Sequence, residues 1–372
     1  MFNVKYFRFC LPWITPEEEE EEGLFIPYFN EDIISNILLK FPAESLEFKF
    51  RYVCKSWNSI ISDKNFRNQH LHCSKPEPGL IIQAYDEYGY GTYFMSGTTR
   101  MQQLIKHNYS SKILGCSNGL VLVEWETNGC RDLRVLNPIT KQYLQLPHPQ
   151  ASSSSLSRGH YQFGFAFVSS IGKFKVICLV ICLGRVQCGI LTLDCSNPKW
   201  RVIEGPAAIS NSMCHKPPIS INGYMYWYLY YPTDAVISMD LIEEKFSEIH
   251  LPCSIGNLVE IKGHLSNIVI QPNHGLLDIW ILKDVHGGQW VKQHSIICHS
   301  LEEGCLYTSE TVSLRNEEIA IFDYCNKMLY VFDVKLKKLK LMTKIKISGF
   351  IEFCNPHVNS YTSSAFDQSL MD

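Results

Sequence analysis

The chain has 372 residues, 46% of them hydrophobic and 19% charged, with a formal net charge of −3. That length accommodates a small module plus one domain with a full core, and the apolar content excludes a disordered chain. The slightly negative balance argues against a nucleic-acid partner, which needs a basic field, and no apolar run reaches the roughly 18 residues of a membrane span.

The opening residues, MFNVKYFRFCLPWITP, are apolar. Arg8 and Pro12 interrupt them and no small-residue cleavage site follows, so a signal peptide is not expected. Glu17 to Glu22 are six consecutive acids that repel one another and stay solvated, which makes residues 1–23 a disordered acidic arm.

Residues 24–72 read as a small helical module. Ile33, Ile34, Ile37, Leu38 and Phe41 fall on one stripe of a helix. Asn30 is a good N-cap, Glu31 and Asp32 put negative charge in the first turn, and Pro42 is expected to end the helix. A second series at helical spacing follows, Phe50, Val53, Cys54, Trp57, Ile60 and Ile61, and Asp63 is placed to cap a third short helix carrying Phe66. About forty residues bury too little surface to be stable alone, and this segment carries more apolar side chains than it can hide. The surplus is expected to dock on another molecule. Trp57 divides between that docking role and the module's own core.

Residues 73–79, with Pro76 and Pro78, read as a short, stiff linker. From residue 80 to about 360 the texture changes to short apolar runs separated by Gly, Asn, Asp and Pro turns, the signature of an all-β domain. A weak repeat selects the architecture. An Asp or Asn ends a strand and a large apolar residue follows six positions later: Asn137 with Tyr143, Asp194 with Trp200, Asp240 with Phe246, Asp284 with Trp290, and Asp333 with Leu339. Hairpin turns precede each copy at Asn118-Gly119, Gly172-Lys173, Asn222-Gly223, Lys262-Gly263 and Asn316-Glu317. The period of roughly 40–50 residues is that of a four-stranded propeller blade. Leftover strands at Leu80–Tyr85 and Thr92–Met95, joined to Ile345–Phe353, complete a ring of about six blades and remove its open edges. A sandwich is the competing architecture. Residues 361–372 form a tail.

Within the β-domain, Tyr224, Tyr226, Tyr228 and Tyr230 share one face of a strand by period-two alternation. Such a face suits either an amphipathic recognition surface for a target or a semi-polar layer between blades. Trp200, Trp227, Trp280 and Trp290 are expected to fill blade-to-blade packing. The basic run Lys335 to Ile347 reads as a solvated outer strand whose lysines discourage edge pairing.

The fifteen cysteines are scattered, without a C-x-x-C pair, and many sit in apolar strands, a pattern that suits the reducing cytoplasm or nucleus. His70, His72 and Cys73 cluster but lack a fourth ligand, so neither metal nor cofactor is expected. No G-x-S-x-G elbow, P-loop or H-E-x-x-H occurs, and an enzyme is not expected.

EDIISNILLKFPAESL followed by VCKSWNSIISDKNF resembles the F-box, the segment that docks on the Skp adaptor of cullin-type ubiquitin ligases, and the VCKSW run is similar to the plant branch. Two departures stand out: Phe29 and Asn30 replace the family's opening Leu-Pro pair, and one extra residue falls around Ala43–Glu47, to be absorbed as a bulge or longer loop. ILGCSNGLVLV with VLNPITKQYLQLP, FGFAF with KFKVICLV, PPISINGYMYW with SMDLIEEKFSEIHLP, and LVEIKGHLS with LDIWILKD resemble, in order, the F-box-associated interaction domain of plant F-box proteins, of kelch-like propeller type. Together the likenesses cover nearly the whole chain outside the N-terminal arm.

The resemblance implies adaptor contacts at Phe29, Ile33, Ile34, Ile37, Leu38, Pro42, Leu46, Val53, Cys54 and Trp57. It implies a substrate receptor that reaches cullin and RING subunits through the adaptor while the β-domain holds an unidentified target protein. Two other readings stand beside it: an F-box protein acting as scaffold or competitor without ligase activity, and a propeller-type binding protein or enzyme in which residues 29–70 are a structural cap sealed against the propeller.

Overall fold

Helix formation begins where the capping residue predicts it. The computed structural model describes residues 30–73, 78–87, 89–96, 100–107, 111–127, 130–149, 160–182, 185–193, 198–206, 217–229, 235–253, 256–271, 276–297, 309–314, 318–323, 326–347 and 349–362. Helix α1 (Glu31–Leu38) starts at Asn30, whose Oδ1 accepts a hydrogen bond from the Asp32 amide at 3.0 Å. It stops at Leu38, short of the proline expected to end it. Pro42 instead supplies the N-cap position of a further helix, α2 (Ala43–Phe48), where a missing N–H leaves no bond unmade.

The stretch expected to carry a bulge or loop is thus helical. The irregularity sits two residues beyond it, at Lys49 with φ −134° and ψ −58°, and a 3₁₀ turn (Phe50–Tyr52) follows. Helix α3 (Lys55–Ser62) precedes Asp63, whose Oδ1 accepts from the Phe66 amide at 2.9 Å and opens α4 (Lys64–Cys73).

The described chain forms two compact units, residues 30–73 with Asn359–Thr362, and Pro78–Val358. The β-unit therefore starts two residues before the expected 80 and ends at Val358. The expected boundary at 360 falls inside a segment that groups with the helices. The acidic arm, Phe29 and linker residues 74–77 lie outside the described residues.

The second unit contains six four-stranded antiparallel sheets. Blade 1 combines β1 (Pro78–Asp86), β2 (Gly89–Ser96) and β3 (Arg100–His107) with a strand from the far end of the chain. Blade 2 is β4 (Ser111–Ser117), β5 (Leu120–Thr127), β6 (Cys130–Leu136) and β7 (Tyr143–Leu146). Blade 3 is β8 (His160–Val168), β9 (Lys173–Cys182), β10 (Arg185–Leu193) and β11 (Arg201–Glu204). Blade 4 is β12 (Ile219–Ile221), β13 (Tyr224–Leu229), β14 (Ala235–Asp240) and β15 (Phe246–His250). Blade 5 is β16 (Asn257–Ile261), β17 (His264–Gln271), β18 (Leu276–Asp284) and β19 (Gln289–Ile297). Blade 6 is β20 (Ser309–Ser313), β21 (Glu318–Asp323), β22 (Met328–Asp333) and β23 (Lys338–Lys344).

The strand completing blade 1 is β24 (Phe350–Val358), paired antiparallel with β1. Inner strands β24, β4, β8, β12, β16 and β20 lie beside one another in that order and return to β24, so the sheets close into a six-bladed propeller. This is the ring predicted from the leftover strands. It rules out the sandwich.

Blades are apolar on both faces because alternate residues of one strand serve opposite neighbours. Leu80, Ile82 and Ala84 of β1 pack toward blade 6, while Ile81 packs toward blade 2. Among the described residues each of the six blade interfaces holds its own buried apolar cluster.

The repeated Asp or Asn position caps the third turn of the blade. Asn137 Oδ1 accepts from the Ile139 amide, Asp240 Oδ1 from Ile242 and Glu243, Asp284 Oδ1 from His286, and Asp333 Oδ1 from Leu336, all between 2.7 and 2.9 Å. These side chains imitate a backbone acceptor two or three residues on, which fixes the turn before the outer strand. Asp194 and the Asn316-Glu317 turn lie outside the described residues. Asn118-Gly119 and Asn222-Gly223 make the first hairpin turns of blades 2 and 4 with φ of 45° and 84°, and 49° and 84°. Those left-handed pairs are what a tight hairpin twist requires.

Trp200 and Trp290 tie neighbouring blades. Their indole N–H groups donate to the carbonyls of Pro147 at 2.7 Å and His250 at 2.9 Å, each at the outer edge of the preceding blade. Trp227 is fully buried between blades 3 and 4, as its inter-blade assignment anticipates.

Candidate functional site

In the helical unit the sequence places more apolar side chains than the unit encloses. Leu38, Leu46, Ile61 and Phe66 fill its interior. Ile33 and Ile37, one turn apart on α1, are 47% and 42% exposed, and Ile34 between them is half-buried. Pro42, Val53, Cys54 and Trp57 are half-buried. Trp57 meets Phe50 edge-on with ring centroids 5.8 Å apart, and Phe50 meets Phe41 at 4.6 Å, so an aromatic row backs the partly open Trp57. Ser56 Oγ donates to Glu31 Oε1 at 3.3 Å, linking α1 to α3.

Two expected contact residues are displaced by this arrangement. Leu38 and Leu46 are both 0% exposed and belong to the interior rather than to a docking surface. Helical spacing put them on the apolar stripe without saying which part of the stripe faces inward.

A polar hub that sequence reasoning missed holds these helices together. Glu47 is only 4% exposed, and its carboxylate takes Arg51 on one oxygen and Arg67 on the other, the latter at 2.9 Å. Arg51 also donates to Asn58 Oδ1 and Ser62 Oγ, both at 3.2 Å, and Arg67 Nε donates to the Ile61 carbonyl at 3.0 Å. A buried carboxylate is tolerable only when so paired. His70, fully enclosed, donates from Nε2 to the Phe41 carbonyl at 2.8 Å. Burial lowers its pKa, against the opposing effect of that bond.

The tyrosine stripe of β13 is a blade interface. Tyr226 and Tyr228 are buried between blades 4 and 5 with Ile221, Ile249, Leu265 and Leu282, and Tyr224 stacks on Tyr226 with centroids 6.2 Å apart. Of the two readings of this face the structure favours the inter-blade layer; Tyr230 lies outside the described residues. Tyr226 and Tyr228 also border a recess at the inner strands, next to Asn355 and to the Asn257–Thr311 hydrogen bond of 3.2 Å.

The buried charges of the propeller are accounted for structurally. Lys175 Nζ reaches Glu244 Oε1 at 2.9 Å and the Leu241 carbonyl, and Arg201 takes the other Glu244 oxygen, joining blades 3 and 4. Asp278 accepts from Lys292 at 2.7 Å, Gln271 at 2.8 Å and Ser295 at 2.5 Å within blade 5. Burial pushes the thiols of Cys116 and Cys188 up to about 12, so neither is a nucleophile at neutral pH. Among the described residues no group of three or more His, Cys, Asp or Glu side chains could hold a metal ion. No described helix is long and apolar enough to cross a membrane.

A family model described as the F-box domain matches residues 27–69, and one described as the F-box associated beta propeller domain matches residues 67–368. The chain is a plant-type F-box protein with an associated β-propeller. It is similar to the Arabidopsis thaliana F-box protein At3g07870, 25% identical over 399 residues that span 91% of this chain and 92% of that one. It is also similar to F-box protein At1g30790 of the same plant, 25% identical over 302 residues, 70% of this chain and 73% of that one. A chain of the nidogen/laminin complex crystal structure aligns with a TM-score of 0.50 over 76% of this F-box protein and 99% of its own length, at 11% identity, which is a likeness of fold alone. The F-box domain implies binding to a Skp-type adaptor in general.

Proposed function

We propose that this F-box protein is the substrate-recognition subunit of a Skp–cullin–F-box ubiquitin ligase, non-catalytic itself, acting in the cytoplasm or nucleus. The observation that carries the reading is the unfilled apolar face of α1, where Ile33 and Ile37 stay open, in a unit whose Trp57 is also partly exposed. Covering what remains exposed of the two isoleucines contributes about 1 kcal/mol each towards holding an adaptor. Ile34, Val53 and Cys54 are half-buried and join this proposal, as Phe29 does, on the resemblance. Cullin and RING subunits then arrive through the adaptor, and the propeller holds a target protein. Acceleration comes from effective concentration, since tethering makes the encounter of target and charged ubiquitin carrier intramolecular.

A second reading, a scaffold or competitor without ligase activity, is favoured by Asn30 in the place of the family's proline and by the altered α2. The open Ile37 speaks against residues 29–70 being a sealed structural cap. Co-purification from plant cells, with the full chain and with residues 24–72 deleted, tests these together. The expected result is loss of adaptor and cullin on deletion with other partners retained. Adaptor without cullin in the full-chain sample supports the scaffold, and absence of adaptor from both samples sinks the ligase account.

A further inference from the structure

The chain does not end with the propeller. After Val358 closes β24, Asn359–Thr362 group with the helices. Tyr361 is only 3% exposed there. Its ring meets His70 edge-on with centroids 5.1 Å apart and lies under the Arg67 guanidinium, 5.1 Å from its carbon. The turn that presents it is tight: the Thr362 amide donates to Ser360 Oγ at 3.2 Å, and the two hydroxyls lie 2.7 Å apart. Asn359 is buried as well.

The residues that Tyr361 touches tie α4 to the rest of the helical unit. Arg67 holds Glu47 of α2 and the Ile61 carbonyl of α3. His70 holds the Phe41 carbonyl, and Phe41 backs Phe50 and through it Trp57. Burial, and then the nearby Glu47 carboxylate, push the Tyr361 hydroxyl well above its ordinary pKa, so the ring stays neutral against that network. A tyrosine ring buried against a cation and an imidazole orders both of them.

We propose that the adaptor-docking unit of this protein is discontinuous in sequence. Asn359–Thr362 is a further element of it beside α1 to α4, and Tyr361 is a positioning residue that holds α4 against α2 and thereby sets the shape of the surface carrying Ile33, Ile37 and Trp57. The inference rests on the adaptor reading above for its functional half. It goes beyond the F-box domain match, which ends at residue 69. Tyr361 touches no adaptor atom in this scheme; it acts through Arg67 and His70.

The test uses the full chain with Tyr361→Ala and Tyr361→Phe, reading amide hydrogen exchange in α4 and affinity for a recombinant Skp-type adaptor. The alanine variant is expected to speed exchange in α4 by at least about tenfold and to weaken the adaptor about tenfold, while phenylalanine, which keeps the ring, restores both. Unchanged exchange in α4 for the alanine variant overturns the proposal. So does an equal acceleration throughout the propeller strands, which marks a global effect. If the unaltered chain fails to bind the adaptor, the ligase reading falls, and the exchange data still decide whether Tyr361 completes the helical unit.

Discussion

His357 shows how one side chain sets a pH limit on this fold. It is fully enclosed at the end of β24, with its ring 6.2 Å from Phe94 in an edge-on contact, and burial lowers its pKa to about 4. An unfolded chain takes up that proton near pH 6.5, whereas the folded one resists until near pH 4. Stability is therefore complete above about pH 6.5 and declines as pH falls through this window, by about 3 kcal/mol at its lower end. His70 adds to the loss in the same direction, since burial lowers its pKa too. Urea melts of the full chain from pH 7.5 to 4 should show the decline. His357→Gln should flatten it, and equal slopes in both proteins would exclude His357 as its source. Residues of this kind were poorly legible in the sequence. The repeated Asp and Asn positions could be found because their bonds are local, two or three residues along. Glu47 with Arg51 lies at the helical spacing of four, but Arg67, the partner that makes burial of Glu47 tolerable, is 20 residues away.

At the scale of elements, α1 separates folding from docking along one helix. Leu38 and Leu39 point inward, and Ile33 and Ile37 point out. Replacing both exposed isoleucines, Ile33→Asp with Ile37→Asp, should change thermal stability by no more than about 0.5 kcal/mol per site. The same pair should weaken adaptor affinity by at least about 100-fold, read by calorimetry, because two desolvated isoleucines would be replaced by charges in an apolar contact. Retained affinity would move the docking surface elsewhere. Hydrophobic periodicity revealed this helix and its stripe but not its inward limit, since 100° of apolar arc is satisfied by an interior and a partner alike. The β13 tyrosines carry the same lesson. Alternation correctly placed them on one face, yet a propeller blade has no free face, and only the neighbouring blade shows that Tyr226 and Tyr228 are enclosed.

For the whole molecule the decisive feature is closure. β1 pairs on one side with β2 and on the other with β24, with a register shift at Gln83/Ala84. Gln83 is completely buried there, and its amide mimics a strand: Nε2 donates to the Ser111 carbonyl at 2.9 Å and Oε1 accepts from the Ile113 amide at 2.8 Å. Gln83→Leu should keep the volume but leave both backbone groups of β4 unpaired, costing about 2–3 kcal/mol in a denaturant melt. An unaltered midpoint would show that closure does not depend on this clamp. The ring was legible because its turn signals recur and its leftover strands had to pair. Gln83 was hidden, since nothing in a lone glutamine announces an interface.

Joining the first β-strand to the last also fixes when this protein can finish folding. On the ribosome β1 emerges early and must wait, one edge bare, until more than 260 further residues have been made and β24 appears. Throughout synthesis that edge can recruit stray strands from other nascent chains, a hazard that premature stop codons would make permanent.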